Sequence, residues 1–113
     1  MTKLCFNMPR LLCLLLATLP GLPVCAGPLA AERESELQNL LYQDCGSCHG
    51  MRLTGGLGPA LTTRALAGKP RDLLIATIRD GRPGTPMPPW KDLLGEQDIA
   101  WLVDYLTQAE QTP

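Results

Sequence analysis

Cys45-Gly46-Ser47-Cys48-His49 decides how this 113-residue chain is read. Two thiols with two residues between them, followed directly by an imidazole, are the attachment signature of c-type haem. Each thiol can add across one vinyl group of a porphyrin. The spacing then carries His49 beneath the ring, where its imidazole can bind iron. Half of a zinc site is one competing reading. Structural zinc usually takes four protein ligands, however, and beyond residue 26 only Cys45, Cys48 and His49 offer a thiol or an imidazole. A thioredoxin-like dithiol is another, but no alternating strand and helix pattern surrounds the pair. Chance occurrence in a structural turn is the third.

The N-terminus favours the haem reading, because it has the form of an export leader. Lys3 and Arg10 give a positive start, and Leu11 to Leu19 is an apolar run of nine residues. That length suits a signal core and falls well short of the ~20 residues needed to cross a bilayer. Pro20, Gly21 and Pro23 break the helix, and Val24-Cys25-Ala26 offers small residues for cleavage before Gly27. A cut after Ala30 or Ala31 is the other placement. Cys5, Cys13 and Cys25 would leave with the leader, so Cys45 and Cys48 are the thiols that stay and no disulfide is expected. Pro23 and Val24 argue against a lipid-modified Cys25, and an uncleaved anchor is a weak reading.

Removing 26 residues from 113 leaves 87, enough for one domain over 27–113. A chain this small rarely builds a sufficient core from side chains alone. Its aromatics beyond the leader are Tyr42, Trp90, Trp101 and Tyr105. A porphyrin would supply the missing apolar volume. Charge is uneven: −3 over Gly27–His49, +5 over Gly50–Lys91 and −5 over Asp92–Pro113. That distribution reads either as ordinary solvated surface or as a dipole with its positive pole in the middle segment.

The chain reads as all-α. A first helix is expected from about Ala30 to Asp44, with Leu37 and Leu41 as its apolar stripe and Glu32, Glu34 and Glu36 at its positive start. Gly50 to Gly58 is a glycine-rich loop, with no Gly-Lys-Ser/Thr to make it a phosphate cradle. Pro59 to Leu66 allows a short helical turn. Pro70 to Asp80 forms a middle helix, started by Pro70 and ended by Gly81, with Leu73, Leu74, Ala76, Thr77 and Ile78 supplying an inward face. Pro83, Pro86, Pro88 and Pro89 make Arg82–Trp90 a stiff extended loop. Glu96 to Gln108 is the last helix, its stripe Ile99, Leu102, Val103 and Leu106, flanked by Trp101 and Tyr105.

With one histidine in the chain, two-histidine ligation is excluded within a monomer. Methionine is the next common partner and raises the haem potential. Met51 is too near His49 to reach the opposite face of a ring, and Met1 and Met8 lie in the leader. Met87, in Gly84-Thr85-Pro86-Met87-Pro88-Pro89-Trp90, is the expected second axial ligand. Ordinary core packing of that methionine, ligation by Lys69 or Lys91, and an open sixth position are the other readings.

An N-terminal helix, Cys-x-x-Cys-His-Gly, Gly58-Pro59-Ala60-Leu61, a late Met-Pro loop and a C-terminal amphipathic helix together resemble the small bacterial class I cytochromes c. The resemblance runs from about Leu37 to Leu106. More narrowly, Gly50–Trp90 is similar to the cytochromes c55X of denitrifying bacteria, encoded with the haem-d1-containing nitrite reductase. The resemblance implies three to four helices wrapped around one covalently bound haem c. It implies that the Pro59 carbonyl accepts a hydrogen bond from His49 and that Leu61 packs on the ring. Trp90 would either hydrogen-bond a haem propionate or close the loop as a rim aromatic. Arg64 or Arg82 would pair with a propionate or remain solvated surface charge.

The expectation is therefore a periplasmic, monomeric, monohaem electron carrier and not an enzyme. Ligation by His49 and Met87 would leave iron no open position for substrate. The resemblance implies haem-d1-type nitrite reductase as acceptor. An accessory redox role with a haem d1 biosynthesis enzyme is the alternative, and a gas sensor with open iron is a third class. Hydrolase and transferase chemistry lacks a Ser/His/Asp set once His49 is on iron. The basic segment lacks the aromatic spacing of a nucleic-acid groove, and no stable membrane insertion is expected.

Overall fold

A computed structural model describes residues 27–108. The leader over 1–26, its apolar run Leu11–Leu19, its cut after Ala26 and its cysteines Cys5, Cys13 and Cys25 lie outside the described residues. So do residues 109–113.

The described residues are helical, with no strand among them. Helix α1 spans Ala31–Leu40, with Glu32 and Glu34 in its first turn facing the positive end of the helix dipole. It does not stop near Asp44 as the sequence predicts. The backbone stays helical through a π-helical turn, Leu41–Cys45, into α2, Gly46–His49. The π turn inserts a wider step into the hydrogen-bond ladder. The Cys-x-x-Cys-His run therefore lies on the last turns of one rod. Gly50, at φ 86°, ends the rod with a backbone conformation that a side chain would resist.

Helix α3, Thr63–Leu66, is one turn long and is capped by Thr62, whose Oγ1 accepts from the Ala65 N–H at 3.3 Å. Helix α4 spans Arg71–Asp80, with Pro70 one residue earlier than expected, at the N-cap in extended geometry. Helix α5 spans Glu96–Gln108 with the predicted boundaries.

The two predicted stripes make the core. Leu37 and Leu41 of the first rod and Ile99, Leu102, Val103 and Leu106 of α5 are all buried. Each such side chain is worth ~1.5–3 kcal/mol of transfer free energy. Trp101 and Tyr105 stack at 5.1 Å on the flank of α5. Leu53 and Leu94, from the connecting segments, and Leu66 of α3 complete the cluster. Leu53 is fully buried at φ 58°, a conformation that leucine rarely adopts.

Charged pairs join the helices. Arg33 of α1 donates from Nε and Nη2 to Asp98 of α5, at 3.1 and 2.7 Å. Arg71 of α4 grips Asp104 of α5 at 2.7 and 2.8 Å. Helix α4 has no fully buried residue. Leu74, Thr77 and Ile78 on its inner side face a cavity, whereas Leu73, expected on the inward face, is 56% exposed. Leu73 falls on the opposite side because the i, i+3, i+4 stripe runs through Leu74, Thr77 and Ile78.

Candidate functional site

The cavity measures about 730 Å³, within the ~300–1,000 Å³ usual for cofactor pockets. Its walls are mainly apolar, from Leu41, Leu61, Leu66, Leu74, Ile78, Leu102, Val103 and Leu106. Cys45, Cys48 and His49 line it from the first rod, and Met87 and Trp90 from the loop after α4. Segments distant in sequence thus converge on one space.

On the His49 side the geometry is tight. The ring is 8% exposed, and its Nδ1–H donates to the Pro59 carbonyl at 2.6 Å. This bond fixes the tautomer and leaves Nε2 with its lone pair free to bind a metal. Gly58 lies against the ring so closely that a Cβ there would sit 2.8 Å from Cε1 and Nδ1. The Gly58 N–H donates to the Cys48 carbonyl at 2.8 Å, and the Gly55 N–H to the His49 carbonyl at 2.8 Å. The glycine-rich loop is therefore laced to the end of the first rod. Both cysteines are half-buried, and neither forms a disulfide. Burial, with help from Asp44, pushes the Cys45 thiol up to about 11.

On the other side, Arg82–Trp90 is irregular, as its prolines predict. Its C-terminal end is tied back to α4: the Trp90 N–H donates to Ile78 O at 3.1 Å and the Lys91 N–H to Arg79 O at 3.2 Å. Inside the loop, the Arg82 N–H donates to Met87 O at 3.1 Å, and Thr85 Oγ1 accepts from the Met87 N–H at 3.3 Å. Gly81, at φ 68°, abuts the Pro88–Pro89 peptide; a Cβ there would sit 2.6 Å from Pro88 C and Pro89 N.

The other sequence expectations separate cleanly. Leu61 and Trp90 line the cavity and are half-buried. Of the two arginines considered for a propionate, Arg82 lines it and Arg64 does not. Of the two lysines considered as ligands, Lys69 lines it and Lys91 does not; Lys91 Nζ instead lies 3.7 Å from Asp80. The walls from α4 and α5 and the contact of Gly58 with the ring were not legible in the sequence. The apolar stripe expected of α4 was the one available signal.

A flat apolar group held by two thiols on one wall, with an imidazole and a thioether available to a metal, fits this donor set. Over 92 residues the chain is 65% identical to cytochrome c55X of Stutzerimonas stutzeri, covering 81% of this chain and 80% of that one. It belongs to the cytochrome c55X family. The solved structure of a c-type cytochrome NirC superposes on this class I cytochrome c fold with a TM-score of 0.73 and 61% identity, covering 75% of this chain and 100% of that one. Residues 32–106 match the family model described as cytochrome c oxidase, cbb3-type, subunit III. More distantly, part of dihydro-heme d1 dehydrogenase NirN in complex with DHE is similar, with a TM-score of 0.60 and 34% identity, covering 67% of this chain and 17% of that one.

As a c-type cytochrome, the chain carries covalently bound haem c, which supplies one-electron exchange at its iron. It is an electron-transfer protein associated with denitrification, not an enzyme. Among the described residues no helix is long and apolar enough to cross a membrane.

Proposed function

We propose that this cytochrome is an exported, periplasmic monohaem carrier that passes single electrons to a haem-d1-type nitrite reductase. Cys45 and Cys48 hold the porphyrin through thioethers, and His49 and Met87 are its axial ligands. The observation that carries this reading is the hydrogen bond from His49 Nδ1 to Pro59 O, which aims a free Nε2 lone pair at the cavity that Met87 also lines. Leu61 would pack on the ring, and Trp90, which lines the same cavity, would either hydrogen-bond a propionate or close the loop at the rim. Residues 1–26 act as the leader and are removed.

The chain's own residues have three tasks. Pro59 and Gly58 hold the imidazole in one orientation. The Arg82–Trp90 loop holds the thioether opposite. Leu102 and Leu106 of α5 line the cavity and would exclude water from the bound group. A weak near-infrared sulfur-to-iron band in the oxidised holoprotein, lost in Met87→Ala, tests the ligand pair. Rapid oxidation of the reduced holoprotein by haem-d1 nitrite reductase tests the carrier role. Intact mass of material from the periplasmic fraction tests the leader.

A second reading draws on the likeness to part of a dihydro-heme d1 dehydrogenase. In that reading the cytochrome takes electrons from such a dehydrogenase while haem d1 is being made. Reduction of the oxidised cytochrome by that enzyme and its precursor substrate, with no oxidation by the finished reductase, favours it.

A further inference from the structure

The haem cavity leaves three aromatic side chains unused. Trp101 and Tyr105 of α5 stack with ring centroids 5.1 Å apart and planes 16° from parallel. The Tyr105 hydroxyl lies 3.5 Å from that of Tyr42, which comes from the first rod, 63 positions earlier. The three rings thus form one continuous group. None lines the cavity, but each is next in sequence to a residue that does: Leu41, Leu102 and Leu106. All three rings pack on the core cluster. The group therefore stands one layer of side chains behind the cavity, within the ~10 Å width of a helix. All three are half-buried, so the group also reaches water.

Aromatic stacks often serve packing alone. Two features go beyond that role. Tyr42 sits in the π turn, Leu41–Cys45, a distortion frequent at functional sites. This turn leaves Leu41 and Cys45 on the cavity and Tyr42 against α5. The second feature is the meeting of the two hydroxyls. A separation of 3.5 Å is long for a hydrogen bond between hydroxyls, so it adds little stability. It does keep one phenol oxygen beside the other as a proton acceptor. Contact with Tyr42, and then burial, push the Tyr105 phenol up to about 12, so it keeps its proton at neutral pH.

We infer that Tyr42, Tyr105 and Trp101 form a relay through which radical oxidants draw an electron from the reduced haem. The radical takes one electron from Tyr105 and becomes an anion, while the phenolic proton passes to the Tyr42 oxygen or to water. Tyr105 then regains one electron from the reduced haem and one proton from water. In sum, one radical is reduced, one haem is oxidised and the protein is restored. A tyrosyl radical is a far stronger oxidant than an oxidised c-type haem, so the electron moves outward. This role is separate from delivery to a partner and needs only that the haem occupies the cavity.

The test uses the reduced holoprotein and azide radicals made by pulse radiolysis. Both tyrosines of the chain belong to the relay, so a tyrosyl absorption reports on it alone. That absorption should decay as the haem is oxidised, at a rate that dilution does not change. Decay that slows on dilution, with no matching oxidation of the haem, overturns the inference. A Tyr42→Phe/Tyr105→Phe variant keeps the rings and removes both phenols. It should lose the dilution-independent oxidation of the haem, while its visible spectrum and reduction potential stay those of the unaltered protein. Equal dilution-independent oxidation in the variant assigns the route to Trp90, on the cavity rim, and overturns the relay. A further check needs no variant. Under a steady flux of azide radicals, peptide mass mapping should find Tyr42 and Tyr105 oxidised or cross-linked in the ferric holoprotein and spared in the ferrous one. Equal damage in the two states overturns the inference.

Discussion

The Cα of Gly58 and the ring of His49 are packed so closely that no side chain fits between them, with a Cβ position only 2.8 Å from Nδ1. The same imidazole is held by the Pro59 carbonyl at 2.6 Å. Orientation of the histidine thus depends on two adjacent residues, one through space left empty and one through a hydrogen bond.

Gly58→Ala should push the ring away from Pro59. The overpacking costs about 1–3 kcal/mol, and the weakened hydrogen bond makes His49 a poorer donor to iron. Thermal unfolding of the holoprotein should show the loss of stability, and the reduction potential should move with it. An unchanged potential with lowered stability would mean that the ring has found a new place without losing its bond.

Gly81→Ala places a methyl group on the Pro88–Pro89 peptide at a φ of 68°. The loop must shift, and Met87 with it. The expected result is a weakened or lost near-infrared sulfur band, together with carbon monoxide binding to the reduced protein. Gly84→Ala is the comparison: its φ is 78°, but nothing lies within 4 Å. It should cost about 1 kcal/mol of backbone strain and keep the band.

Arg82 lines the cavity and Arg64 does not. Removing a positive charge near iron favours the oxidised state. Arg82→Gln should therefore lower the potential by an amount on the order of tens of millivolts, and Arg64→Gln should leave it in place. Equal shifts in a redox titration would show that the two arginines act through the general field alone.

The carboxyl groups of Asp80, Asp98 and Asp104 are held below the usual aspartate range, first by hydrogen bonds from Arg79, Arg33 and Arg71 respectively. Their folded-state values are depressed, so their stabilisation is present above the unfolded value of about 3.9 and is lost as pH falls through the folded values. Holoprotein stability should fall below about pH 4. Asp98→Asn should cost about 1 kcal/mol at pH 7, since the Arg33 side chain is 38% exposed to screening solvent. The difference from the unaltered protein should shrink at low pH in thermal unfolding scans.

Much of this protein was legible because its signals are local. Covalent attachment demands a fixed spacing, so Cys45, Cys48 and His49 stand out in one short run. A single histidine and a proline-clamped methionine left few candidates for the cavity's donors, and the structure brings His49 and Met87 to the same space. Leu37 with Leu41, and the stripe of α5, follow from helical periodicity alone.

The rest needed the folded chain. The sequence predicts a helix ending near Asp44, but the π turn carries it on to His49; ladder spacing leaves no compositional mark. Nothing in the glycine-rich loop distinguishes Gly58 from its neighbours until it meets the ring. Leu53 looks like an ordinary loop leucine, and only the packing around it holds it buried at positive φ. Arg33 and Asp98 meet across 65 positions. Sequence determined which chemistry the chain can hold, because bonding rules act over a few residues; tertiary structure decided which side chains surround that chemistry, because packing and charge act between segments that the chain order keeps far apart.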